Sequence, residues 1–449
     1  MMSISQQASL PTLFAFWPLL RSILLRERIQ IVHGHQSTSG LAHEALLHAR
    51  TMGLPTVFTD HSLFGFASTP AINLNKLMKF SLSDANHVIC VSHCSKENLC
   101  LRAMLDPEMV SVIPNAVDTT KLLPLAAHEP PLNSSRFTIV VLSRLVYRKG
   151  IDLILEVIPQ ICARHPEVDW IIGGDGPKRV LLDQMREKYS LHDRVDMIGA
   201  VPHENIRSVL TRGHLFLNAS LTEAFCIAIL EAVSCGLYVV STKVGGVPEI
   251  LPEELMSFAA PTSTDLVRVL SASIPAVRAR MAAEPGYGWR VHKQVREMYN
   301  WHMVAERTQT VYINLWEQWG EQRRRDREED EETERKSEVA SPPAAPCPGD
   351  SCVELLPPVR LSRLRKFHAC GPLAGPLFVL VVLLDHLLLR ALAWARPAAD
   401  MDVAVDFETD ADHETTDPEE AKHGEEHSND AASTANSRTK HRGSRRSHT

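Results

Sequence analysis

The stretch Ser220–Gly236 (SLTEAFCIAILEAVSCG) places two carboxylates in an otherwise apolar segment. Its pattern predicts a short polar turn that runs into a buried helix, with Glu223 at the mouth and Glu231 about two turns further on. A carboxylate among Ile, Leu, Ala and Val is costly unless it is hydrogen-bonded or paired. The hydroxyl groups of a sugar or a ribose would satisfy it, and the N–H groups of the turn suit a phosphate. The alternative is a capped core helix that tolerates one Glu.

Short apolar strands alternate with helices around this stretch, and that order predicts an α/β fold with two doubly wound parallel sheets. Residues 1–114 are the first domain, 115–136 a linker and 137–290 the second domain. The predicted strands are Ile29–His33, Thr56–Asp60, His87–Val91, Val110–Ile113, Phe137–Leu142, Asp169–Ile172, Val195–Ile198, His214–Leu217 and Tyr238–Ser241. A long amphipathic helix over Trp289–Trp316 is expected to cross back to the first domain within residues 291–320.

The C-terminal part contains one candidate for a membrane helix. Residues 321–370 are charged and then Pro-rich, which predicts a solvated helix extension or a linker. Residues 371–395 are apolar but include Asp385 and Arg390, so a transmembrane helix competes with a re-entrant or surface helix. Basic residues precede this segment and acidic residues follow it, which favours the cytosol for the large N-terminal part. Residues 396–449 are predicted to be a disordered tail.

Composition argues against several classes of function. The net charge of -7 gives no nucleic-acid signal, and the 9 Cys residues form no C-x-x-C motif, which favours a reducing compartment. The glycosylation sequences at Asn133 and Asn218 are interpreted as unused, because a glycan at Asn218 would block the key turn. The Asp-x-Asp sequence at Asp410–Asp412 lies in the tail and is attributed to its acidic composition.

Several polar residues follow strands of the second series, where parallel sheets bind their ligands. Arg144 follows the strand Phe137–Leu142, and Lys149 lies at the start of the next helix, so two cations would neutralise a diphosphate leaving group without a metal. Gly174 lies in a Gly-Gly-Asp-Gly-Pro turn that lets the backbone approach a ligand, although a plain tight turn is the alternative. His61 follows a strand of the first domain, where it is either structural or a catalytic group that faces the cleft.

Together these motifs resemble the family-4 retaining glycosyltransferases of the GT-B fold, in which two Rossmann-like domains face each other across a cleft. The resemblance is closer still to the enzymes that begin the synthesis of glycosylphosphatidylinositol (GPI) anchors. It spans Phe14 to Trp316 and extends into the apolar segment after Cys370. The matching motifs are TDHSLFGFA (Thr59–Ala67), HVICVSHCSKEN (His87–Asn98), SVIPNAVD (Ser111–Asp118), VVLSRLVYRKGIDL (Val140–Leu153), IIGGDGPKR (Ile171–Arg179), LHDRV (Leu191–Val195), SLTEAFCIAILEAVSCGL (Ser220–Leu237) and VGGVPEILPE (Val244–Glu253).

The resemblance implies a role for each matching residue. The implied catalytic residues are His61, Glu223, Arg144 and Lys149. The implied donor-binding residues are Arg144, Lys149, Gly174, Glu223, Ala224, Phe225, Cys226 and Glu231. In these roles the two cations bind the diphosphate of the donor, Glu223 holds the sugar and Glu231 holds the ribose. His61 lies at the reaction centre, and Asn115 helps to shape the cleft.

The implied reaction moves GlcNAc from UDP-GlcNAc to phosphatidylinositol with retention at the anomeric carbon, without a metal or another cofactor. The implied partners are UDP-GlcNAc, phosphatidylinositol and the other membrane subunits of a complex, and no nucleic acid is expected. The implied location is the endoplasmic reticulum membrane, with a single crossing and the catalytic part in the cytosol. The family normally begins with a further strand and a Gly-Gly loop, whereas this chain starts with MMSISQQASL. That departure predicts an incomplete first domain, from a truncated gene model or an isoform.

Two other functions stay open at this point. One is a non-catalytic subunit, or a truncated isoform, that keeps the donor pocket and acts by binding partners. The other is a family-4 transferase with a different acceptor. The set of acidic and basic donor residues favours an enzyme over the first, and the apolar segment favours a lipid acceptor over the second.

Overall fold

The computed structural model describes residues 12, 14–65, 69–126, 128–129, 132, 135–338, 359–402 and 404. The Pro-rich segment, Asn133, the Asp410–Asp412 sequence and nearly all of the predicted tail lie outside the described residues. The predictions made for those segments therefore stay predictions.

The first lobe is built on a parallel sheet of four strands in the order β1-β2-β3-β4. The strands are β1 (Val32–His35), β2 (Thr56–Asp60), β3 (His87–Cys90) and β4 (Val110–Val112). The helices are α1 (Trp17–Arg26), α2 (Gly40–Thr51), α3 (Thr69–Leu82) and α4 (His93–Ala103). Every residue of β2 is buried, as expected for a central strand with helices on both faces of its sheet. His35 is in register with Thr59, so β1 and β2 end close together.

The second lobe contains six parallel strands in the order β10-β9-β8-β5-β6-β7. The strands are β5 (Phe137–Leu142), β6 (Val168–Gly173), β7 (Val195–Gly199), β8 (Leu215–Asn218), β9 (Tyr238–Thr242) and β10 (Met256–Ala259). The helices are α5 (Ile151–Arg164), α6 (Arg179–Lys188), α7 (Ile206–Leu210), α8 (Ile227–Ser234), α9 (Ser263–Ala283) and α10 (Tyr287–Met298). The chain leaves β5 towards β6 and later returns to β8 on its other side. This switch of direction opens a crevice at the carboxyl ends of the strands, where ligands bind in such sheets.

The structure corrects several predicted elements. Helix α8 begins at Ile227, so Glu223 lies in the loop before the helix and not in the helix itself. The helix predicted over Trp289–Trp316 is two helices, because Asn300 accepts the N–H of Met303 at 2.9 Å and begins a new helix, α11 (Trp301–Glu338). Strand β1 starts and ends later than the predicted Ile29–His33, and its later end adds a second histidine, His35. Strand β10 and helix α9 were not predicted.

Helix α11 packs against the sheet of the first lobe. Its residues Val311 and Leu315 are buried in one apolar cluster with Val57 of β2 and Ile89 of β3. The charged segment that follows continues as helix to Glu338, so the helix-extension alternative is the correct one there.

Helix α13 (Ala374–Ala395) is the apolar segment that the sequence singled out. By length and composition it is the one candidate membrane span within the described residues. One side of it packs on the first lobe, where Leu389 is fully buried in a cluster with Trp17 of α1. Val382 is buried with Leu47 of α2 and Phe367 of α12 (Leu361–His368).

The carboxylate in the middle of α13 faces the protein. Oδ1 of Asp385 lies 2.6 Å from Nδ1 of His48 on α2, and neither side chain has exposed area. Thr51 donates its hydroxyl to the other carboxylate oxygen. The ring of Trp17 stacks on His48 with centroids 4.3 Å apart. These contacts supply the partners that a buried carboxylate requires, and they fasten α13 to α2.

We expect Asp385→Ala to lower the free energy of unfolding by about 3–5 kcal/mol, because it removes one partner of a buried pair. Thermal unfolding of the full chain in detergent measures the loss. Asp400→Ala is the matched control, since Asp400 is exposed just beyond the same helix. Adding His48→Leu to Asp385→Ala should recover part of the stability by removing the orphaned ring. Equal unfolding of the Asp385 and Asp400 variants would contradict the role of the pair.

Candidate functional site

Three loops at the carboxyl ends of β5, β6 and β8 press against one another. Gly174 has φ +134°, and a Cβ atom built on it would lie 1.8 Å from the carbonyl oxygen of Ser143. Gly150 has φ +68°, and its Cβ would lie 1.7 Å from the carbonyl oxygen of Ala219. Only glycine fits either position. The loops that carry the predicted donor-binding residues therefore meet at the crevice described above.

Lys149 and Glu223 form an ion pair in this crevice, with 21% and 12% of their side chains exposed. Ser220 donates its hydroxyl to the same Glu223 oxygen at 2.7 Å. The backbone of this loop is also held, because the N–H of Gly246 donates to the Glu223 carbonyl at 3.0 Å. An anionic ligand that reaches Lys149 would compete with Glu223 for the ammonium group. The released carboxylate would then accept hydrogen bonds from hydroxyl groups of the same ligand.

Cys226 shows that three charged side chains share this crevice. It is the buried residue that immediately precedes α8. Burial, together with the charges of Glu223 and Glu231, raises the pKa of its thiol to about 12, and the charge of Lys149 opposes this rise. The two acids and the lysine are therefore close to one sulfur atom. The structure brings together three of the four charged residues that the sequence assigned to the donor.

Glu231 is partly buried on α8, one turn beyond Cys226. Burial raises the pKa of its carboxyl above the ordinary value of 4.5, and His203 lowers it by a smaller amount. No hydrogen bond to its carboxylate is found among the described residues. A buried carboxylate without hydrogen-bond donors is stabilised by a ligand whose hydroxyl groups donate to it.

The two lobes touch beside the crevice through polar groups. Ser92, which follows β3, donates its hydroxyl to the carbonyl of Ala224 at 2.7 Å. Glu249 of the second lobe accepts the N–H groups of His93 and Cys94 at 2.6 and 2.8 Å, at the N-terminus of α4. The carboxyl end of the first sheet therefore faces that of the second. Sequence reasoning missed both contacts, although Ser92 and Glu249 lie in motifs that carried the family resemblance.

Three histidines line the carboxyl end of the first sheet. The rings of His33 and His35 stack with centroids 4.3 Å apart, and Nδ1 of His35 lies 3.2 Å from Nε2 of His61. His33 is fixed by the hydroxyls of Thr59 and Tyr312, at 2.7 and 2.6 Å. Only His61 was predicted from the sequence. The alternating His-Gly-His of β1 was the available signal, but the predicted strand ended at His33 and so left His35 outside it.

These rings are weaker bases than free histidine. Burial lowers the pKa of His33 to about 4, with smaller contributions from His35 and His61. Partial desolvation also lowers the pKa of His35 and of His61, and His35 adds to the effect on His61. Burial raises the pKa of the neighbouring Asp60 to about 6, and a hydrogen bond from Ser37 opposes the rise. The first lobe thus presents neutral imidazoles at pH 7, which accept hydrogen bonds from hydroxyl groups.

The remaining predicted residues lie around the crevice. Arg144 is exposed in the loop after β5, and Asn115 is half-buried just beyond β4. Phe225 is buried with its ring 5.9 Å from that of Tyr299, so only its backbone is available to a ligand. Within the part of the chain that the structure describes, no group of three or more His, Cys, Asp or Glu side chains is arranged to hold a metal ion. Independence from a metal stays a prediction.

We expect Gly150→Ala to displace the loop that carries Lys149. A Cβ atom 1.7 Å from a backbone oxygen forces the backbone to move, and the left-handed conformation alone costs alanine about 1–2 kcal/mol. The variant should lose more than about 2 kcal/mol of stability and most of its transferase activity, measured by thermal unfolding and product formation. Gly286→Ala is the control, because no atom lies within 4 Å of its Cβ position. Similar behaviour of the two variants would refute the close approach.

Two facing α/β lobes with a charged crevice between them define a class, the glycosyltransferases of the GT-B fold. The chain resembles sucrose-phosphate synthase from Thermosynechococcus elongatus, with a TM-score of 0.55 and 21% identity over 67% of this chain and 77% of that one. It also resembles Anabaena HepE solved with UDP and glucose, with a TM-score of 0.54 and 18% identity over 68% and 84% of the two chains. At these identities the likeness shows the fold alone.

Sequence comparison identifies the family of glycosyltransferases to which the chain is similar. Residues 126–270 match the family model for glycosyl transferases group 1, and residues 1–68 match the model described as PIGA (GPI anchor biosynthesis). The chain is 46% identical over 405 residues to the phosphatidylinositol N-acetylglucosaminyltransferase gpi3 subunit of Schizosaccharomyces pombe, which covers 90% of this chain and 79% of that protein. It is 47% identical over 401 residues to a phosphatidylinositol N-acetylglucosaminyltransferase subunit of Arabidopsis thaliana, covering 89% and 79%.

The chain therefore belongs to the PIGA family of phosphatidylinositol N-acetylglucosaminyltransferase subunits, and it is a glycosyltransferase of GPI-anchor biosynthesis. These relatives are named as subunits, which supports a role within a complex.

Proposed function

We propose that this chain transfers GlcNAc from UDP-GlcNAc to the inositol of phosphatidylinositol, with retention at the anomeric carbon, as the catalytic subunit of a membrane complex. The observation that supports this best is the crevice shared by Lys149, Glu223 and Glu231, in a chain whose relatives carry that activity in their names. Desolvated charges reduce stability, and a purely structural subunit would gain nothing from them. The alternative of a non-catalytic subunit is therefore less favoured.

The cations of the crevice are assigned to the leaving group. In the reaction the bond between C1 of GlcNAc and the diphosphate oxygen breaks, and its electron pair leaves with UDP. Lys149 exchanges its Glu223 partner for a phosphate oxygen, and Arg144 approaches the diphosphate from the neighbouring loop. Fixed positive charge at the place where negative charge develops stabilises the transition state more than the ground state.

The acids of the crevice are assigned to hydroxyl groups of the donor. The two oxygens of Glu231 match the adjacent hydroxyls of a ribose, and their hydrogen bonds replace the water that burial has removed. Glu223, once released by Lys149, accepts from a hydroxyl of the sugar. The backbone N–H groups between Ala224 and Cys226 lie at the start of α8, where the helix dipole favours a phosphate.

The first lobe is assigned to the acceptor. His61 is neutral near pH 7, so its ring accepts a hydrogen bond from an inositol hydroxyl and orients that oxygen towards C1. The oxygen forms the new bond to C1 as the bond from C1 to the diphosphate breaks, and its proton passes along that hydrogen bond to the His61 ring. His33 and His35 hold His61 in place through the stacked row, and a change there should alter acceptor affinity more than donor affinity.

The apolar helix and the family support membrane association. We place the chain at the endoplasmic reticulum membrane with both lobes on the cytosolic side. The single crossing predicted from the sequence would have to be made by α13, the helix that is fastened to α2 through Asp385.

Expression in cells that lack their own copy of this transferase subunit tests the proposed function. Membranes from these cells are given labelled UDP-GlcNAc, and labelled GlcNAc-phosphatidylinositol is the expected product. Glu223→Gln should abolish the product while the protein still assembles with the other subunits. Glu204→Gln, an exposed acid in the same lobe, is the control. No product from the assembled wild-type chain would reject the proposal, and transfer to another lipid would support the different-acceptor alternative.

We expect full activity in the presence of EDTA, because two cations already serve the diphosphate. The assay above is repeated with membranes washed in excess chelator, with and without added Mn²⁺. A metal-dependent glycosyltransferase, treated in parallel, shows that the wash is effective. Loss of activity that Mn²⁺ restores would contradict the proposed leaving-group chemistry.

A further inference from the structure

Gln36, the residue directly after β1, has an unusual backbone conformation. Its φ is +78°, in the left-handed region that residues other than glycine rarely adopt. The described part of the chain contains four other such residues. Arg28, Met104 and Ser190 lie at or just beyond the C-termini of α1, α4 and α6, where this conformation ends a helix, and Phe14 lies in the turn before α1. Gln36 follows a strand instead, and backbone strain without a role in helix termination is typical of functional sites.

Hydrogen bonds hold Gln36 in this conformation. Its N–H donates to the carbonyl of Thr59 at 3.0 Å, and its own carbonyl accepts the N–H of Ser39 at 2.9 Å. Its side-chain oxygen accepts the hydroxyl of Ser62 at 2.6 Å. These contacts fix the Gln36 side chain between the loop after β1 and the loop after β2.

The chain neighbours of Gln36 also contact the loop after β2. Nδ1 of His35 lies 3.2 Å from Nε2 of His61, and the hydroxyl of Ser37 donates to Asp60 at 2.5 Å. Three consecutive residues of one loop therefore contact three consecutive residues of the other. Gln36 is the middle residue of its loop, so its side chain lies next to the imidazole that we assign to the acceptor.

The loop after β2 continues to the donor crevice. A Cβ atom built on Gly245 would lie 2.1 Å from the carbonyl oxygen of Glu223 and 2.7 Å from Cδ2 of Leu63. Leu63 directly follows the serine that Gln36 contacts. The residues around Gln36 are thus joined to the loop that carries Glu223, as expected for residues that bind the acceptor of the sugar.

The polar groups closest to Gln36 favour a ligand with several hydroxyl groups. Burial lowers the pKa of His35 and of His61, so both rings are neutral near pH 7. The hydroxyl of Ser62 is also uncharged, and the nearby Asp60 is buried. The carboxamide nitrogen of Gln36 has no hydrogen-bond partner among the described residues. Neutral donors and acceptors at this spacing match a polyol ring, whereas a phosphate favours cations.

We propose that Gln36 selects the acceptor, because its carboxamide nitrogen donates a hydrogen bond to a hydroxyl of a polyol ring while its oxygen holds the loop that carries His61. The inference rests on the proposed function, in which that ring is the inositol of the acceptor. The proton of the attacking hydroxyl passes to His61 and not to Gln36. A contact of this kind is made equally in the ground state and the transition state, so it lowers KM for the acceptor without raising kcat.

Calorimetric titration of the assembled, UDP-loaded complex with dihexanoyl phosphatidylinositol tests this proposal. It requires no turnover, so its failure and failure of the transfer reaction are distinguishable. Gln36→Gly adopts the same backbone without strain and lacks the side chain, and Gln36→Met keeps the length of the side chain without its polar group. Both variants should bind the lipid about tenfold more weakly, the loss expected for one hydrogen bond between neutral groups. UDP affinity should not change, and KM for the lipid should rise at a largely unchanged kcat.

Ser190→Gly and Gln184→Met are the controls. The first relieves backbone strain at an exposed position, and the second removes an exposed carboxamide from α6, so neither should alter lipid affinity. Dihexanoyl phosphatidylserine, which has the phosphate but no polyol ring, should bind the wild type and the Gln36 variants alike. Unchanged phosphatidylinositol affinity in the Gln36 variants, an equal loss of phosphatidylserine affinity, or a fall in kcat at constant KM would each overturn the proposal.

Discussion

Lys149→Met is expected to lower the rate of GlcNAc transfer by about a thousandfold, the loss typical of removing one preorganised group that stabilises developing charge. The Lys149 side chain is largely buried, whereas Arg144 is exposed, and the loop that carries Lys149 is fixed by the close approach of Gly150 to Ala219. The variant also leaves Glu223 without its cationic partner, so the site becomes more negative where the diphosphate must bind. Initial rates at saturating UDP-GlcNAc measure the effect.

Two controls separate this loss from a general effect on folding. Arg212→Met breaks a surface ion pair with Asp196, at the amino end of β8, and should change the rate less than twofold. Lys149→Arg keeps the charge but changes its geometry, and it should recover only part of the activity. If Lys149→Met retained more than a tenth of the wild-type rate, the diphosphate would have to bind elsewhere.

Glu231→Gln is expected to have two opposite effects, a loss of UDP affinity of about a hundredfold and a gain in stability at neutral pH. The affinity falls because a carboxylate that accepts two ribose hydrogen bonds is replaced by an amide with one acceptor oxygen. The stability rises because the charged form of Glu231 is disfavoured by burial in the folded state. Calorimetry with UDP and thermal unfolding measure the two effects.

The gain in stability should depend on pH in one direction. The pKa of Glu231 is raised on folding, so the folded state binds more protons than the unfolded state, and the free energy of unfolding falls as pH rises through this range. The free-energy cost of holding Glu231 charged in the folded state is absent below the ordinary pKa of 4.5. It is complete above the raised pKa of the folded state. Glu231→Gln should therefore exceed the wild type in stability at pH 7, and the difference should vanish below pH 4.5.

A purely structural Glu231 predicts a different pair of results. In that case the Gln variant would bind UDP as the wild type does, and its stability would fall if the carboxylate made a contact that the fold requires. Glu204→Gln, at an exposed position of the same lobe, should change neither quantity. Unchanged UDP affinity in Glu231→Gln would reject its assignment to the ribose.

Much of the fold followed from the alternation of short apolar strands with helices. Strands with buried residues on both faces, such as Thr56–Asp60 and Phe137–Leu142, have the predicted bounds, because β-branched and aromatic residues fill most of each strand and polar or Pro-bearing turns flank it. The bounds of strands at the edge of a sheet were harder to predict from the sequence. Within the part of the chain that the structure describes, strand β1 pairs with β2 alone, and its residues are less buried than those of β2, so its apolar signal was weak.

The donor side of the site was predictable for a related reason. Charged residues at the ends of buried strands must converge in a doubly wound sheet, and Lys149, Glu223 and Glu231 do so. The residues of the acceptor side could not be predicted in the same way. The row of His33, His35 and His61 depends on the lateral register of two strands, and the Tyr312 contact depends on a helix far along the chain.

The packing of α13 on the first lobe also could not be predicted from the sequence. Asp385 looks like an interruption of an apolar segment, and only its contact with His48, which lies more than 300 residues earlier, reveals its role. A contact between two distant segments does not change the hydrophobic periodicity of either segment, so the sequence pattern does not indicate it.

A structure of the assembled complex with UDP-GlcNAc is the most direct test of the nucleotide-sugar site. We predict that Lys149 Nζ lies about 3 Å from a diphosphate oxygen and no longer contacts Glu223, and that both Glu231 oxygens accept ribose hydroxyls. A bound nucleotide sugar outside this crevice, or one that leaves the Lys149–Glu223 pair intact and Glu231 without a contact, would contradict the account.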